Sequence, residues 1–193
     1  MKAKLLAIVL LGISSITANA GGDVVAYEEP GAVAGTGSRN GPFVGIEGSY
    51  AFDLKADTAT TQGLEGKGGS FGLDMGAKQD CWRVLMGLEH YANDTDNQNY
   101  DRIFTQVDYF PLDSTYAMGN MFANPYVGLN VGWLNYQSDG AEDQSGVAYG
   151  AQAGFTKAFG NNWDMDMGVR YMLSNIDEVD HIGTMNVGLH YYY

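Results

Sequence analysis

Residues 183–193 read GTMNVGLHYYY. Taken alternately, Met185, Val187, Leu189, Tyr191 and Tyr193 are apolar or aromatic, whereas the residues between them are mostly polar or small. A repeat of two residues predicts a β-strand with two different faces. In a soluble protein, a strand with aromatic residues in a row would be an aggregation-prone edge. We therefore expect this strand to complete a barrel whose outer face contacts lipid and whose inner face is polar.

The same alternation occurs in seven earlier segments, which gives eight predicted strands. In each, an outward-facing apolar set alternates with an inward-facing set rich in glycine and polar residues, and the pattern is weakest in the fourth segment. Segments of about 9–11 residues suit strands that cross a bilayer at a tilt. The predicted fold is an all-β, eight-stranded antiparallel transmembrane up-and-down β-barrel formed by residues 42–52, 70–78, 81–91, 101–110, 126–133, 147–159, 163–173 and 183–193.

A soluble eight-stranded barrel of the lipocalin kind would have the opposite polarity, with an apolar interior and a polar exterior. Here the inward set contains Gly, Asn, Asp and Arg, which cannot form a dry core. Aromatic residues also fall near the ends of the segments, as in the girdles that mark the two water–lipid borders of membrane barrels. These residues are Tyr50, Phe52, Trp82, Tyr109, Trp133, Trp163, Tyr191 and Tyr193.

Charged residues recur on the inward set. An eight-stranded barrel is just wide enough for side chains to fill it, and unpaired charges in that space would destabilise the fold. We therefore predict that three arginines pair with six carboxylates and close the lumen, although a conducting pore would use the same residue types. The predicted lumen charge network consists of Glu47, Asp74, Arg83, Glu89, Arg102, Asp108, Asp164, Asp166 and Arg170.

Residues 1–20 have the pattern of an export signal. Lys2 and Lys4 precede a short apolar run, and Ala18-Asn19-Ala20 matches the small-x-small pattern, which predicts cleavage after Ala20. Cleavage would leave eight basic against 23 acidic residues, a formal charge of −15. Such a charge disfavours nucleic acid as a partner.

The predicted organisation is a signal peptide over 1–20, a flexible leader over 21–41 and an outer-membrane barrel over 42–193. The leader has many chain breakers and no lasting repeat. With both barrel ends in the periplasm, long outer loops are expected at 53–67, 92–100, 135–145 and 174–181. The turns at 78–80 and 160–162 are short, whereas the turn at 111–125 is long enough to hold a small helix or to indicate shifted strand boundaries.

Carboxylates cluster in the predicted outer loops. Such clusters can hold Ca²⁺ or Mg²⁺, including ions that bridge lipopolysaccharide phosphates. The Asp94-Thr95-Asp96 sequence lacks the glycine and the distal glutamate of a calcium loop. We expect a solvated acidic rim without a metal site, formed by Asp94, Asp96, Asp139, Glu142, Asp143, Asp177, Glu178 and Asp180.

Four stretches, NPYVGLNVGWLNY (124–136), SGVAYGAQAGFTKAFG (145–160), WDMDMGVRYML (163–173) and GTMNVGLHYYY (183–193), resemble the outer-membrane β-barrel domain family. This family includes porin-like and opacity-type surface proteins and small OmpA/OmpX-type barrels. The resemblance covers roughly residues 42–193 and consists of glycines, aromatic residues and alternation. It implies a bacterial outer-membrane protein with an envelope-structural or adhesin-like surface role, and a small-solute porin is the alternative.

The resemblance also implies partners. Outer-membrane lipid and lipopolysaccharide would surround the barrel, and the barrel-assembly machinery would read an insertion signal that includes Tyr193, Tyr191 and Leu189. The final residue of such proteins is usually Phe, so a final Tyr is a less typical form of that signal.

A lipid-modifying barrel enzyme is a further alternative, but no catalytic site or cofactor is predicted. The His-x-Ser pattern of outer-membrane lipid A deacylases is absent after His90, His181 and His190. Barrel palmitoyltransferases use a histidine with an Asp-Ser pair on the outer side. The single Asp-Ser pair here, Asp113-Ser114, lies in the predicted periplasmic turn.

Overall fold

The computed structural model describes residues 39–55, 68–93, 98–112, 123–137, 143–176 and 179–193. Eight β-strands occupy most of these ranges, and no helix long and apolar enough to cross a membrane occurs in them. The strands are β1 (Gly41–Lys55), β2 (Gly69–Gln79), β3 (Trp82–Asn93), β4 (Gln98–Tyr109), β5 (Asn124–Gln137), β6 (Gln144–Phe159), β7 (Trp163–Ile176) and β8 (Val179–Tyr192).

Each strand pairs antiparallel with the next along the chain, and β8 pairs with β1, so the sheet is a closed barrel. We followed directly opposite residues from strand to strand around the barrel, beginning at Asn135 on β5 and passing β4, β3, β2, β1, β8, β7 and β6. This path returns to β5 at Pro125. The offset of 135 − 125 gives a shear of 10 residues, and such a stagger requires the strands to tilt by about 35–45°. The predicted eight-stranded antiparallel barrel is confirmed.

The barrel has two different ends. The termini end contains the start of β1, the end of β8 and the short β2–β3 and β6–β7 turns, where Asp80 (φ 52°) and Gly160 (φ 58°) adopt left-handed backbone conformations. The longer β4–β5 connection lies at the same end, and the other four connections lie at the loop end. Most of the predicted strand boundaries are approximate. β7 extends to Ile176 and β8 begins at Val179, so these two strands occupy most of the loop predicted at 174–181.

Several predictions fall on parts of the chain outside the described residues. These are the signal peptide and its cleavage site, residues 21–38 of the leader, most of the first outer loop, and residues 113–122 of the long turn.

The outer surface of the barrel is apolar. The side chains predicted to point outward do so, and Val127, Leu129 and Val131 on β5 are 52%, 68% and 52% exposed. Aromatic rings contact one another on this surface near the termini end, where Trp82 lies 4.9 Å from Tyr109 between ring centroids. A surface of this kind removes apolar area from water only if something apolar covers it.

Candidate functional site

The inward faces of the strands fill the lumen with charged and polar side chains. Arg83 on β3 is 1% exposed and bridges two strands: its Nε donates to Asp108 Oδ2 at 2.8 Å, and its Nη1 donates to Asp166 Oδ2 at 2.6 Å. The hydroxyl of Tyr126 donates to the other oxygen of Asp166 at 2.8 Å, and Gln152 Nε2 donates to Asp108 Oδ1 at 2.5 Å. Each carboxylate therefore accepts hydrogen bonds at both oxygens, which offsets its loss of water.

Arg170 on β7 forms a second cluster. Its Nη1 and Nη2 donate to the two oxygens of Glu47 at 2.9 and 3.1 Å, a bidentate geometry that fixes both side chains. Its Nε donates to Gln152 Oε1 at 3.1 Å, and its Nη2 also donates to Gln106 Oε1 at 3.2 Å. Because Gln152 contacts both Asp108 and Arg170, the first two clusters are continuous.

Arg102 on β4 and Glu89 on β3 form a third cluster. The Arg102 Nη2 and Glu89 Oε2 atoms lie 2.6 Å apart, and the guanidinium carbon lies 4.1 Å from the centroid of the Phe104 ring. The other Glu89 oxygen accepts hydrogen bonds from Ser70 Oγ at 2.6 Å and Tyr100 Oη at 3.3 Å. We refer to the clusters around Arg83, Arg170 and Arg102 together as the ionic layer.

The remaining two predicted lumen carboxylates have partners that the sequence did not suggest. Asp74 Oδ2 lies 3.4 Å from His190 Nε2, and Asp164 Oδ1 accepts a hydrogen bond from Arg39 Nε at 2.8 Å. Arg39 belongs to the predicted leader, yet it also donates to the backbone carbonyls of Gly160 and Asn161 in the β6–β7 turn. Alternation alone places His190 on the inward face, so the sequence was sufficient to predict that this side chain is buried.

Lys78 is a further buried charge that sequence reasoning missed. It is 2% exposed, and its Nζ lies 3.7 Å above the ring of Phe110. Lys78 shares the inward register of Asp74 on β2. Alternation along the predicted segment 70–78 places Lys78 on the inward face, but Lys78 was not included in the predicted lumen charge network.

An apolar group closes the lumen at the loop end. None of its members is more than 5% exposed, and Leu134, Ala148 and Met172 are completely buried. The rings of Tyr91 and Tyr100 stack with centroids 4.7 Å apart. We call this group the apolar cap, and it consists of Ala51, Tyr91, Tyr100, Leu134, Tyr136, Ala148, Met172, Ile176, Val179 and Ile182. The inner face expected to be polar is therefore apolar at this end.

Glycine gives the ionic layer the space that it needs. Gly128 on β5 lies directly against Asp108, and a Cβ atom at Gly128 would collide with the Asp108 carboxylate. Gly87 on β3 similarly makes room for the ring of Phe104. The inward glycines thus allow large charged and aromatic side chains to cross a narrow barrel.

Comparison with known proteins was made through sequence and through structure. No protein-family model and no curated protein matches the chain. Among solved structures, Neisserial surface protein A superposes with a TM-score of 0.61 at 20% identity, over 79% of this chain and 97% of that one. The fold is that of the small outer-membrane β-barrels.

Two other barrels of this kind, both from Pseudomonas aeruginosa, give similar results. Outer membrane protein H in micelles matches with a TM-score of 0.58 at 16% identity, over 79% of this chain and 99% of that one. The N-terminal β-barrel domain of OprF matches with a TM-score of 0.50 at 14% identity, over 79% of this chain and 100% of that one. At these identities the likeness establishes the outer-membrane barrel fold.

The members of the two predicted surface sets that the structure describes lie on the outside of the barrel. Tyr191 is exposed and Leu189 is half-buried on the outward face of β8. Tyr193, which follows the end of β8, is also exposed, and its backbone N donates to Pro42 O at 3.3 Å. Of the acidic rim, Asp143 and Asp180 are exposed at the loop end, and Asp180 belongs to β8. The other members, Asp94, Asp96, Asp139, Glu142, Asp177 and Glu178, lie outside the described residues. Within the described ranges, no group of three or more His, Cys, Asp or Glu side chains could hold a metal ion.

Proposed function

We propose that this chain is a non-enzymatic integral protein of the bacterial outer membrane that supports the envelope or contacts external molecules through its loops. The observation that carries this proposal is the contrast between a lumen blocked at two levels and an outer surface that is apolar. A blocked lumen leaves the loops and the outer wall as the surfaces available to other molecules.

Physical reasoning supports placement in a bilayer. The closed ladder from β1 to β8 pairs the backbone groups of every strand on both sides, as a hydrocarbon environment requires. Exposed apolar side chains cover β1 to β8, a much larger patch than the few hundred Å² that soluble monomers expose. Outer-membrane lipid and lipopolysaccharide are the partners proposed for this surface.

The proposed orientation has the start of β1, the end of β8 and the short β2–β3 and β6–β7 turns in the periplasm, as in outer-membrane barrels, together with the longer β4–β5 connection. The acidic loop end then faces outward. In this proposal the export signal is cleaved after Ala20, and the leader before Arg39 remains in the periplasm. The name of Neisserial surface protein A describes that protein as a surface protein, and the loops of the present chain are proposed to have a surface role as well.

Electrical recording from purified, refolded protein in planar lipid bilayers tests the blocked lumen. We expect no stable conductance, because the ionic layer and the apolar cap both cross the lumen. A known porin, inserted into the same membranes, is the positive control. Discrete and long-lived conductance steps of the unmodified protein would contradict the proposal and support the alternative, a small-solute porin.

Insertion by the barrel-assembly machinery has its own test at Tyr193. Tyr193→Phe should give normal amounts of folded barrel, whereas Tyr193→Asp should leave most of the protein unfolded in the periplasm. The measurement is the heat-dependent gel shift of folded barrel in isolated outer membranes. Normal amounts of folded Tyr193→Asp protein would show that this residue is not part of an insertion signal.

A further inference from the structure

Two side chains just before β1 contact the short turns on either side of it. Asn40 Oδ1 accepts a hydrogen bond from the backbone N of Asp80 in the β2–β3 turn at 3.0 Å. Arg39 extends in the other direction, past β8, to the β6–β7 turn. Because β1 lies between β2 and β8, the two contacts are on opposite sides of the β1–β8 seam at the termini end.

The contacts of Arg39 match the shape of a guanidinium group. Its Nε donates to Asp164 Oδ1 at 2.8 Å. Its Nη2 donates to the carbonyl oxygen of Gly160 at 2.6 Å, and its Nη1 donates to the carbonyl oxygen of Asn161. Each of the three guanidinium nitrogens therefore has its own acceptor, one from a carboxylate and two from consecutive carbonyls of one turn. A planar fork of N–H donors suits this arrangement, whereas lysine has a single compact ammonium group.

Burial makes this contact important for Asp164. The side chain of Asp164 is 4% exposed, and that of Arg39 is 16% exposed. Arg39 adds a positive charge from outside the strands, at the point where Asp164 lies. Removing that charge would leave a buried carboxylate without its ion pair, which is far more costly than the loss of an exposed pair. The lumen has six carboxylates, and the described parts of the strands supply it with four buried basic side chains, Lys78, Arg83, Arg102 and Arg170.

The β6–β7 turn also binds the end of β8. Asn162 Nδ2 donates to Tyr192 O at 2.7 Å, and Tyr192 N donates to Asn162 O at 2.8 Å. The ladder between β1 and β8 begins at the Phe43–Tyr192 pair, so Arg39 and Asn40 lie beyond it. Arg39 therefore joins the start of β1 to the end of β8 through this turn, at a place where the end of a ladder would otherwise open easily.

Together these contacts form a clip across the seam. We propose that Asp164 and the carbonyls of Gly160 and Asn161 form a guanidinium-binding site, which Arg39 fills to hold the termini end of the β1–β8 seam closed. Asn40 provides the second contact of the clip, on the β2 side. The ligand class of the site is an alkylguanidinium cation, which the chain supplies from its own Arg39. This role is additional to the surface role proposed above and does not depend on it.

Amide hydrogen exchange of the protein refolded in detergent micelles, measured by NMR, tests the clip. Arg39→Ala should speed exchange of the Tyr192 amide about tenfold, because this amide donates to the turn that Arg39 fixes by charged hydrogen bonds. Amides of β8 near the loop end should keep their exchange rates, since the clip acts locally. Lys157→Ala is the matched control and should leave Tyr192 exchange unchanged, because Lys157 is an exposed cation at the termini end of β6.

A small guanidinium compound tests the binding site itself. Millimolar ethylguanidinium should restore most of the slow Tyr192 exchange in Arg39→Ala, whereas the same concentration of ethylammonium should not. It should not alter the unmodified protein, whose site Arg39 fills. The double variant Arg39→Ala with Asp164→Asn has no unpaired carboxylate, so it carries the exchange test if the single variant does not fold. Its Tyr192 amide should also exchange fast and should not respond to ethylguanidinium.

Asn40→Ala tests the second contact separately. It should speed exchange of the Asp80 amide about fivefold and leave Tyr192 unchanged. The inference is overturned if Tyr192 exchanges equally in the Arg39→Ala variants and in the unmodified protein. It is also overturned if exchange increases equally along the whole of β8, or if ethylammonium restores slow exchange as well as ethylguanidinium does.

Discussion

The ionic layer and the apolar cap close the same lumen by different means. In the ionic layer, Arg83 contacts carboxylates on β4 and β7, and Arg170 contacts a carboxylate on β1. Hydrogen-bond partners compensate these charged groups for the water that they lose on burial. In the apolar cap, completely buried side chains such as Leu134 and Met172 fill the space by volume. The ionic layer therefore depends on each partner being present, whereas the apolar cap depends on total packed volume.

The largest effect expected from this contrast follows Arg83→Ala. The change leaves Asp108 and Asp166 buried without their cation, which should lower the free energy of unfolding by about 3–5 kcal/mol. Urea unfolding of the refolded barrel in detergent or lipid vesicles, followed by tryptophan fluorescence, measures it.

The matched control for Arg83 removes the charges as well as the cation. In the triple variant Arg83→Met, Asp108→Asn and Asp166→Asn no unpaired charge remains, so part of the lost stability should return. If Arg83→Ala alone unfolds at the same urea concentration as the unmodified protein, the ionic layer does not contribute through ion pairing.

The next effect in size belongs to the apolar cap. Leu134→Ala should lower the free energy of unfolding by about 2–4 kcal/mol, because the side chain is completely buried and its removal leaves a cavity. Leu129→Ala on the same strand is the control, since Leu129 is 68% exposed on the outer wall and its removal leaves no enclosed cavity. Equal losses for the two variants would show that the cap is not packed as a core.

The smallest effect concerns a single neutral donor within the ionic layer. Tyr126→Phe removes the hydrogen bond from the hydroxyl to Asp166 but retains the ring beside Arg83. The free energy of unfolding should fall by about 1.5–2 kcal/mol, the lower part of the range for a hydrogen bond to a charged group. In the Asp166→Asn background the same change should cost less, and a double-mutant cycle from urea unfolding measures the coupling. A loss that stays the same in both backgrounds would show that the hydroxyl does not act through Asp166.

The two regions also differ in how far the sequence predicted them. Arg83 lies between the apolar residues Trp82 and Val84, so alternation alone placed it in the lumen. The identity of its partners could not be predicted, because Asp166 lies 83 residues away and reaches Arg83 only through barrel closure.

The apolar cap was missed for a physical reason. Met172 lies between Tyr171 and Leu173, and Leu134 follows Trp133, so both faces of the strand are apolar there and no period of two is visible. The predicted strands consequently ended too early at the loop end.

The sequence separation of the lumen contacts has a consequence for the order of assembly. Arg170 and Glu47 are 123 residues apart, and Phe43 pairs with Tyr192 across the β1–β8 seam. Both contacts join one of the last two strands to the first strand, so we expect the Arg170–Glu47 ion pair to form late in assembly. Weakening the pair should therefore accelerate unfolding more than it slows refolding. The bidentate contact between Arg170 and Glu47 therefore lengthens the lifetime of the folded barrel by slowing its unfolding.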